Sequence, residues 1–366
     1  SDFKIYHIFL NFFTLVNFFN KKKNLFFFPL EDQSFLDNKI DEELKVFFNT
    51  FKNKYFSTFK YIILESLKNY CINQLKLKKS ISELVYMSDP KCIFVDQLRF
   101  GVSTILASIC KSKDKNIILV PHGSISVPDS KFSEFVLQLC ARGLVYSKLA
   151  DFSVAQSKIS NEAIKYYDKR LKILKSEPIL FGKIFKDNNA DKKNKFIFLH
   201  ASTPKSLSKW PWIYENYNEY IKNINDIINY LKNKKNIELI IRFREGPECD
   251  LNTFKKLINI EANNFVKISK NKNFFNDLKL SDCLISFSST SIEETLYLNK
   301  KVLIYSSDKN YKHINYNFGK DNSIYYSNKI NINEKIDQIL NDNQKKENDI
   351  LWKEPINENE SLRKFL

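Results

Sequence analysis

From residue 91 onward, short apolar runs alternate with longer stretches in which apolar positions recur every third or fourth residue. The runs Lys91–Asp96 (KCIFVD), Asn116–Val120 (NIILV) and Phe152–Ala155 (FSVA) read as strands. Between and after them, Gly101–Lys111, Ser133–Leu144 and Ser160–Tyr167 read as helices. Lys186–Lys195 (KDNNADKKNK) is polar, charged and free of large apolar residues, which is the composition of a linker. The alternation then restarts. Strands are expected at Phe196–Leu199, Ile237–Ile241, Phe265–Ile268, Cys283–Ser286 and Lys301–Tyr305. Helices are expected at Tyr217–Lys232, Leu251–Ile258, Phe274–Leu280, Ser291–Leu298, Ile332–Leu340 and Ile350–Leu366. Upstream, Glu31–Lys79 reads mostly helical, with Leu44, Phe47, Phe48 and Phe51 and then Tyr61, Leu64 and Leu67 at helical spacing.

Continuous apolar strands alternating with helices are the mark of parallel sheets covered on both faces. The expected fold is therefore α/β, with two facing Rossmann-like, doubly wound domains. The first spans residues 1–185 and includes the helical N-terminal region; the second spans 195–350; residues 351–366 form a helix that crosses back. Ligands of such sheets lie beyond the C-terminal ends of the strands, which here means the cleft between the domains.

Composition narrows this picture. At roughly 150 residues per domain, a chain of 366 residues allows about two. Lys+Arg is 58 against Asp+Glu 42, a net charge of +16. Lys, Asn, Ile and Phe are abundant together, so many lysines read as solvated surface, and no nucleic-acid module appears. An acidic small ligand or anionic lipid fits the charge, and no nucleic acid partner is expected. Only 6 glycines occur, and neither GxGxxG nor GxxxxGK[ST] is present, which excludes a Gly-rich phosphate loop. The six cysteines form no CxxC pair and read as reduced thiols. With four histidines in no ligand spacing, no metal is expected. Lys4–Phe19 is apolar and aromatic but carries Lys4, His7, Asn11 and Asn17. It reads as a strand and a buried helix; the alternative is a membrane-surface element beside Lys21, Lys22 and Lys23. The expected location is cytoplasmic, with peripheral contact at the inner face of the membrane under that alternative.

The strand ends carry the candidate chemistry. Asp96 closes the first run and reads equally as a general base or as a helix cap or partner of Arg99. His122, between Pro121 and Gly123, projects from the next strand end and suits proton transfer or a hydrogen bond to an anionic leaving group. Arg242 and Arg244, followed by Glu245 and Gly246–Pro247, either grip phosphate oxygens with forked donors or pair with Glu245 or Glu248. Ser288, Ser289 and Thr290 run into the start of a helix, where free N–H groups make an anion site. Ser291 with Glu294 matches an S-x-x-E capping box. His200, Ser202 and Thr203, in the loop after Phe196–Leu199, are placed to contact the same ligand, and Trp210–Pro211–Trp212 reads as packing.

Taken together, the His-Gly loop and the segment SDCLISFSSTSIEETLYLNKKVLIY resemble the GT-B-fold glycosyltransferases over residues 90–305. Within them, the segment is similar to capsule Kdo transferases, bacterial sialyltransferases and CDP-glycerol glycerophosphotransferases. The resemblance implies that Ser288, Ser289 and Thr290 hold a donor phosphate and that Glu294 contacts the nucleotide ribose. Where those families carry a His-Pro motif, this chain has Arg242–Phe243–Arg244–Glu245, so an arginine would stabilise the leaving phosphate. The implied activity is inverting, metal-independent transfer from a nucleotide-activated sugar. A CMP-activated ulosonic acid such as Kdo or a sialic-acid-like sugar would be moved onto a bacterial surface glycan or lipid-linked acceptor. Asp96 would act as base, with His122 as the fallback, and no cofactor beyond the nucleotide-sugar co-substrate is implied. Three alternatives stand beside it. One is an enzyme resembling UDP-N-acetylglucosamine 2-epimerase, whose motif also joins an acidic pair to an apolar strand, although its opening Arg-Pro-Glu signature is missing here. The others are a CDP-glycerol-type polyol-phosphate transferase and a GT-B module that binds without catalysis.

Overall fold

The apolar runs from Cys92 onward become strands because a parallel sheet buries both faces and leaves little room for polar alternation. The structure, a computed structural model, describes residues 42, 54–99, 101–121, 123, 125, 127–128, 130–179, 194–205, 213–246, 249–271, 273–305, 311, 313–314, 323–328, 330–342, 356–357 and 361–365. The linker expected at Lys186–Lys195 and the apolar segment Lys4–Phe19 lie outside these residues, apart from 194–195. The chain divides into two compact units, one of Ser1–Lys91 with Phe100–Lys115 and one of Cys92–Arg99 with Asn116–Leu366.

In the first unit, helix α1 (Lys54–Ser88) packs along helix α2 (Val102–Lys111). Helix α2 starts at Gly101, whose φ of 77° suits a residue without a Cβ, and no side chain caps it. Asp96 is therefore not its cap. Lys115 sits 2.7 Å from Asp89, and the Lys113 ammonium lies 5.3 Å from the Tyr86 ring centre.

The second unit holds two all-parallel sheets. The first runs β1 (Cys92–Val95), β2 (Asn116–Leu119), β3 (Phe152–Ala155) and β4 (Lys172–Lys175), paired in that order. Helices α3 (Lys131–Ala141) and α4 (Lys158–Tyr167) connect these strands, and each begins with a serine box. Ser130 and Ser157 accept from the N–H groups of Ser133 and Ser160, and those serines bond back. All four residues of β3 are buried. Ser361 bridges to Lys175 of β4, and the Phe365 ring lies 5.0 Å from that of Phe152. The described end of the chain, Leu362–Phe365, is a 3-10 turn where the sequence pattern suggested helix.

The second sheet contains β5 (Phe196–His200), β6 (Ile237–Ile241), β7 (Val266–Ile268), β8 (Cys283–Ser286), β9 (Lys301–Tyr305) and β10 (Ile324–Ser327). Its order is β10-β9-β8-β5-β6-β7. The helices are α5 (Tyr217–Leu231), α6 (Leu251–Leu257), α7 (Phe274–Leu280), α8 (Ser291–Tyr297) and α9 (Ile332–Asn341). One core joins α5 to the sheet through Tyr220, Ile224, Ile227, Ile228 and Leu231 against Phe198, Leu239 and Ile241. A second covers the opposite side through Leu278, Ile292 and Leu296 against Leu199, Leu284, Val302 and Ile304. Each such fully buried side chain contributes about 1.5–3 kcal/mol. This is the α/β architecture that the periodicity predicts, with β4 and β10 as strands it does not reveal.

Candidate functional site

The order of the second sheet reverses between β5 and β8, since β5 pairs with β6 on one side and β8 on the other. A reversal of this kind leaves a crevice beyond the two strands' C-terminal ends, because the connecting helices leave on opposite faces. Phe287 leaves β8 buried, its ring 5.9 Å from Tyr305 and 5.7 Å from Tyr311. Ser288 follows, its Oγ 3.1 Å from the Tyr311 hydroxyl and 3.1 Å from Nδ1 of His313. Burial pushes the His313 imidazole down to about 4, so it is neutral. Ser289 Oγ accepts from the backbone N–H of Ser291 at 3.3 Å. Thr290 is the N-cap of α8 without a side-chain bond. The expected capping box of Ser291 with Glu294 does not form: Ser291 already lies inside the helix, and its buried hydroxyl has no partner. Helix α8 is two turns long, so any anion held here depends on individual donors more than on a helix dipole.

Glu293 and Glu294 open α8. Glu293 is buried, and its Oε2 accepts from Ser157 Oγ at 3.5 Å. With Thr290 it lines a small cavity against Pro121, Gly123, Val154, Gln156 and Ser160, at the ends of β2 and β3. Gly123 packs so closely that a Cβ there would stand 2.2 Å from Cγ2 of Thr290. Glu294 is half-buried, and its carboxyl is pushed up to about 7, first by burial and then by Glu293, with Arg242 opposing. Arg242 leaves β6 with its N–H bonded to the His200 carbonyl at 2.9 Å. Its Nη1 donates to Asp277 Oδ2 at 2.8 Å and to the Asn271 carbonyl at 3.0 Å. The guanidinium also lies 5.5 Å from the Phe274 ring centre. Asp277 is buried and accepts from Ser269 Oγ and Asn271 Nδ2, each at 2.5 Å. Arg242 thus pairs with Asp277, not with Glu245.

The remaining candidates are dispersed. Phe243 turns inward and stacks on Phe254 at 4.0 Å, while Arg244 and Glu245, which follow it, are exposed. His200 is fully buried; burial pushes it down to about 3, and its Nε2 lies 3.2 Å from the Tyr305 hydroxyl. It is a neutral core histidine, not an exposed ligand contact. Ser202 is buried with its Oγ 3.5 Å from Glu215, and Thr203 is half-buried. Asp96 is exposed at the end of β1, and Arg99 donates instead to the carbonyls of Arg142 and Cys140. His122 and Trp210–Trp212 lie outside the described residues. Ser288, Ser289, Thr290 and Glu294 share one turn and Arg242 acts on Glu294 electrostatically, while Asp96, after β1, and Arg244 and Glu245, after β6, are exposed. Sequence reasoning missed Glu293, Gln156, Asp277 and Glu215. Among the described residues, no cluster of His, Cys, Asp or Glu is arranged to hold a metal ion, and no helix is long and apolar enough to cross a membrane.

No protein-family model and no curated protein matches the chain. Solved structures do. The UDP-GlcNAc 2-epimerase of Methanocaldococcus jannaschii, in complex with UDP-GlcNAc and UDP, matches with a TM-score of 0.51 and 12% identity over 78% of this chain and 77% of that one. Another structure of that enzyme gives 0.48 and 10% over 76% and 77%. Staphylococcus aureus MnaA with UDP gives 0.47 and 14% over 75% and 73%. The first of these bears out the GT-B-like fold of two Rossmann-like halves. It also corrects the expected activity. The match at 0.51 is a UDP-GlcNAc 2-epimerase, so inverting transfer of a CMP-activated ulosonic acid is not the reading this fold supports.

Proposed function

We propose that this chain is a nucleotide-sugar enzyme that binds a UDP-linked sugar and inverts a centre on that sugar, in the manner of a UDP-N-acetylglucosamine 2-epimerase. The observation that carries the reading is the turn Ser288–Glu294, with half-buried Glu294 beside Arg242 beyond β8 and β6.

Each part of the turn has a task. Arg242 is held by Asp277 and brings positive charge for the diphosphate. Ser289, Thr290 and the first N–H groups of α8 supply neutral donors to phosphate oxygens. Glu294 accepts from the ribose hydroxyls. Inverting the C2 centre breaks its C–H bond; that electron pair forms a C1–C2 double bond as the C1–O bond to UDP breaks, and UDP and a proton then add back with the proton on the opposite face. Glu293, against the cavity at the ends of β2 and β3, is the second carboxyl within the same turn.

An epimerase needs no acceptor. The test is incubation of the full chain with UDP-GlcNAc alone in deuterated buffer, followed by proton NMR. The expected result is the C2 epimer with deuterium at the inverted carbon. Unchanged UDP-GlcNAc over long incubation, with no binding of UDP, overturns the reading.

A further inference from the structure

The reading above gives work to Ser289 and Thr290 but none to Ser288, the first hydroxyl after β8. Two side chains from the segment after β9 close on it. Its Oγ lies 3.1 Å from the Tyr311 hydroxyl and 3.1 Å from Nδ1 of His313, and those two atoms lie 3.3 Å apart. Tyr311 and His313 are each 5% exposed, while Ser288 is half-buried. The Tyr311 ring packs against Phe287 and Tyr214, with ring centres 5.7 and 5.3 Å away, and meets the His313 ring edge-on at 6.5 Å. Nε2 of His313 is buried and has no partner.

The directions of these bonds follow from donor counting. A neutral imidazole carries one proton, on Nδ1 or on Nε2. On Nε2 it would be a buried N–H without an acceptor, at the full desolvation cost of an unmet donor. On Nδ1 it finds two oxygens, and what is left over is a bare lone pair; an unmet buried N–H is the rarer defect. His313 therefore donates from Nδ1. The Tyr311 hydroxyl touches no other acceptor among the described residues, so its hydrogen goes to Ser288. Nothing in the cluster is then left to accept from Ser288. As the half-buried member of the three, it keeps its own hydrogen for a group outside.

We propose that His313 is a positioning residue for the diphosphate: by donating from Nδ1 it leaves Ser288 a hydrogen-bond donor to a phosphate oxygen of the ligand. This rests on the UDP-sugar reading above and adds one donor to it. A phosphate oxygen only accepts, so a Ser288 whose hydrogen was spent on a bare Nδ1 would face it lone pair to lone pair. His313→Leu removes both ring nitrogens and keeps an apolar side chain of similar bulk. The Ser288 hydrogen is then free to turn to the Tyr311 oxygen. His313→Asn instead places an amide N–H where Nδ1–H stood.

Two measurements on the full chain test this. The first is the nitrogen NMR of histidine-labelled protein without ligand, at a pH of about 7.5, well above the value of about 4 to which burial pushes His313. The His313 signals are identified by their loss in His313→Asn, and the proton should sit on Nδ1. A proton on Nε2 overturns the proposal whatever the affinities. The second is calorimetric titration with UDP of wild type, Ser288→Ala, His313→Leu and the double variant. Each single variant should weaken UDP about tenfold, as expected for one charge-assisted hydrogen bond, and the double variant should bind within about twofold of Ser288→Ala. Losses that multiply in the double variant show a merely structural His313, and full affinity in either single variant shows no role; each overturns the proposal. His313→Asn should keep UDP within about threefold of wild type. A tenfold loss there overturns the proposal too, and this arm and the histidine signal stand if His313→Leu fails to fold. Failure of wild type to bind UDP overturns the UDP-sugar reading and the proposal with it, whereas each result above overturns the proposal alone.

Discussion

At the residue scale, the site separates side chains by what surrounds them more than by their type. Two carboxyls and two histidines among the displaced groups matter near neutral pH. Glu215 and Glu294 are pushed up to about 7, and His200 and His313 down to about 3 and about 4. For Glu215 burial is the largest cause, followed by opposing bonds from Asn223 and Tyr305. A raised carboxyl contributes stability that is complete below its unfolded value, near 4.5, and lost as pH rises through about 7. Over that window the loss from Glu215 is at most about 3 kcal/mol, at about 1.4 kcal/mol per tenfold. The two histidines act in the opposite sense, losing stability as pH falls below about 6.5, and they are common to wild type and variant. Glu215→Gln should therefore gain stability relative to wild type between pH 4.5 and pH 8, measured by urea unfolding at both; a constant difference would count against a buried, proton-holding Glu215. A steric prediction concerns Gly123. Gly123→Ala should cost about 1–3 kcal/mol, because its methyl would stand 2.2 Å from Cγ2 of Thr290. Adding Thr290→Ser, which deletes that Cγ2, should restore most of the loss in thermal melts. If the double variant melts no higher than Gly123→Ala, the clash is not the cause.

At the element scale, most of the fold was legible. Runs such as Ile237–Ile241 and Lys301–Tyr305 are apolar throughout because both faces of a parallel strand are covered. Strand β4 was hidden because lysines stand at both of its ends, with only Leu174 fully inside. Strand β10, Ile324–Ser327, is short and aromatic and follows a long polar stretch. The start of α8 at Ser291 was read correctly, but its capping residue was not. Any of four consecutive hydroxyls could cap, and it is Ser289, not Ser291, whose oxygen takes a helix N–H. Lysine-rich segments were read as solvated surface, yet two adjacent lysines at the start of β9 do structural work. Lys300 Nζ donates to the carbonyls of Leu278, Lys279 and Ser281 at 2.7, 2.9 and 2.5 Å, closing the C-terminus of α7. Lys301 Nζ reaches Ile339 at 3.1 Å and also Asp342, closing α9. Lys300→Met keeps the aliphatic stem and removes the charge. It should cost about 1–2 kcal/mol, read as a lower urea midpoint at unchanged slope. An unchanged midpoint would mean that the carbonyls are equally well served by water.

At the scale of the whole molecule, the repeats in the sequence pointed to strand ends but not to which of them meet. Counting βα repeats located the strand ends, and the hydroxyl run with its following acids marked one of them. What the repeats could not show was the strand order. Only the pairing of β5 with both β6 and β8 identifies the reversal point, and that pairing brings Arg242 of one strand end to Glu294 beyond another. Residues far apart in sequence were invisible for the same reason, since nothing local links Asp277 to Arg242 or Glu215 to Tyr305. The activity expected from family resemblance followed a segment whose acidic pair and apolar strand the resemblance gives to transferases and epimerases alike. In the proposed reading the motif holds a nucleotide, and it does not disclose what is done to the sugar.

The most direct test of this account is therefore calorimetric titration of the full chain with UDP, with CMP as the comparison and Glu294→Gln as the variant. The account predicts that UDP binds, that CMP binds more weakly, and that Glu294→Gln weakens UDP by about tenfold through loss of the ribose contact, roughly 1.4 kcal/mol. No heat with UDP, a preference for CMP, or full affinity in Glu294→Gln would contradict it.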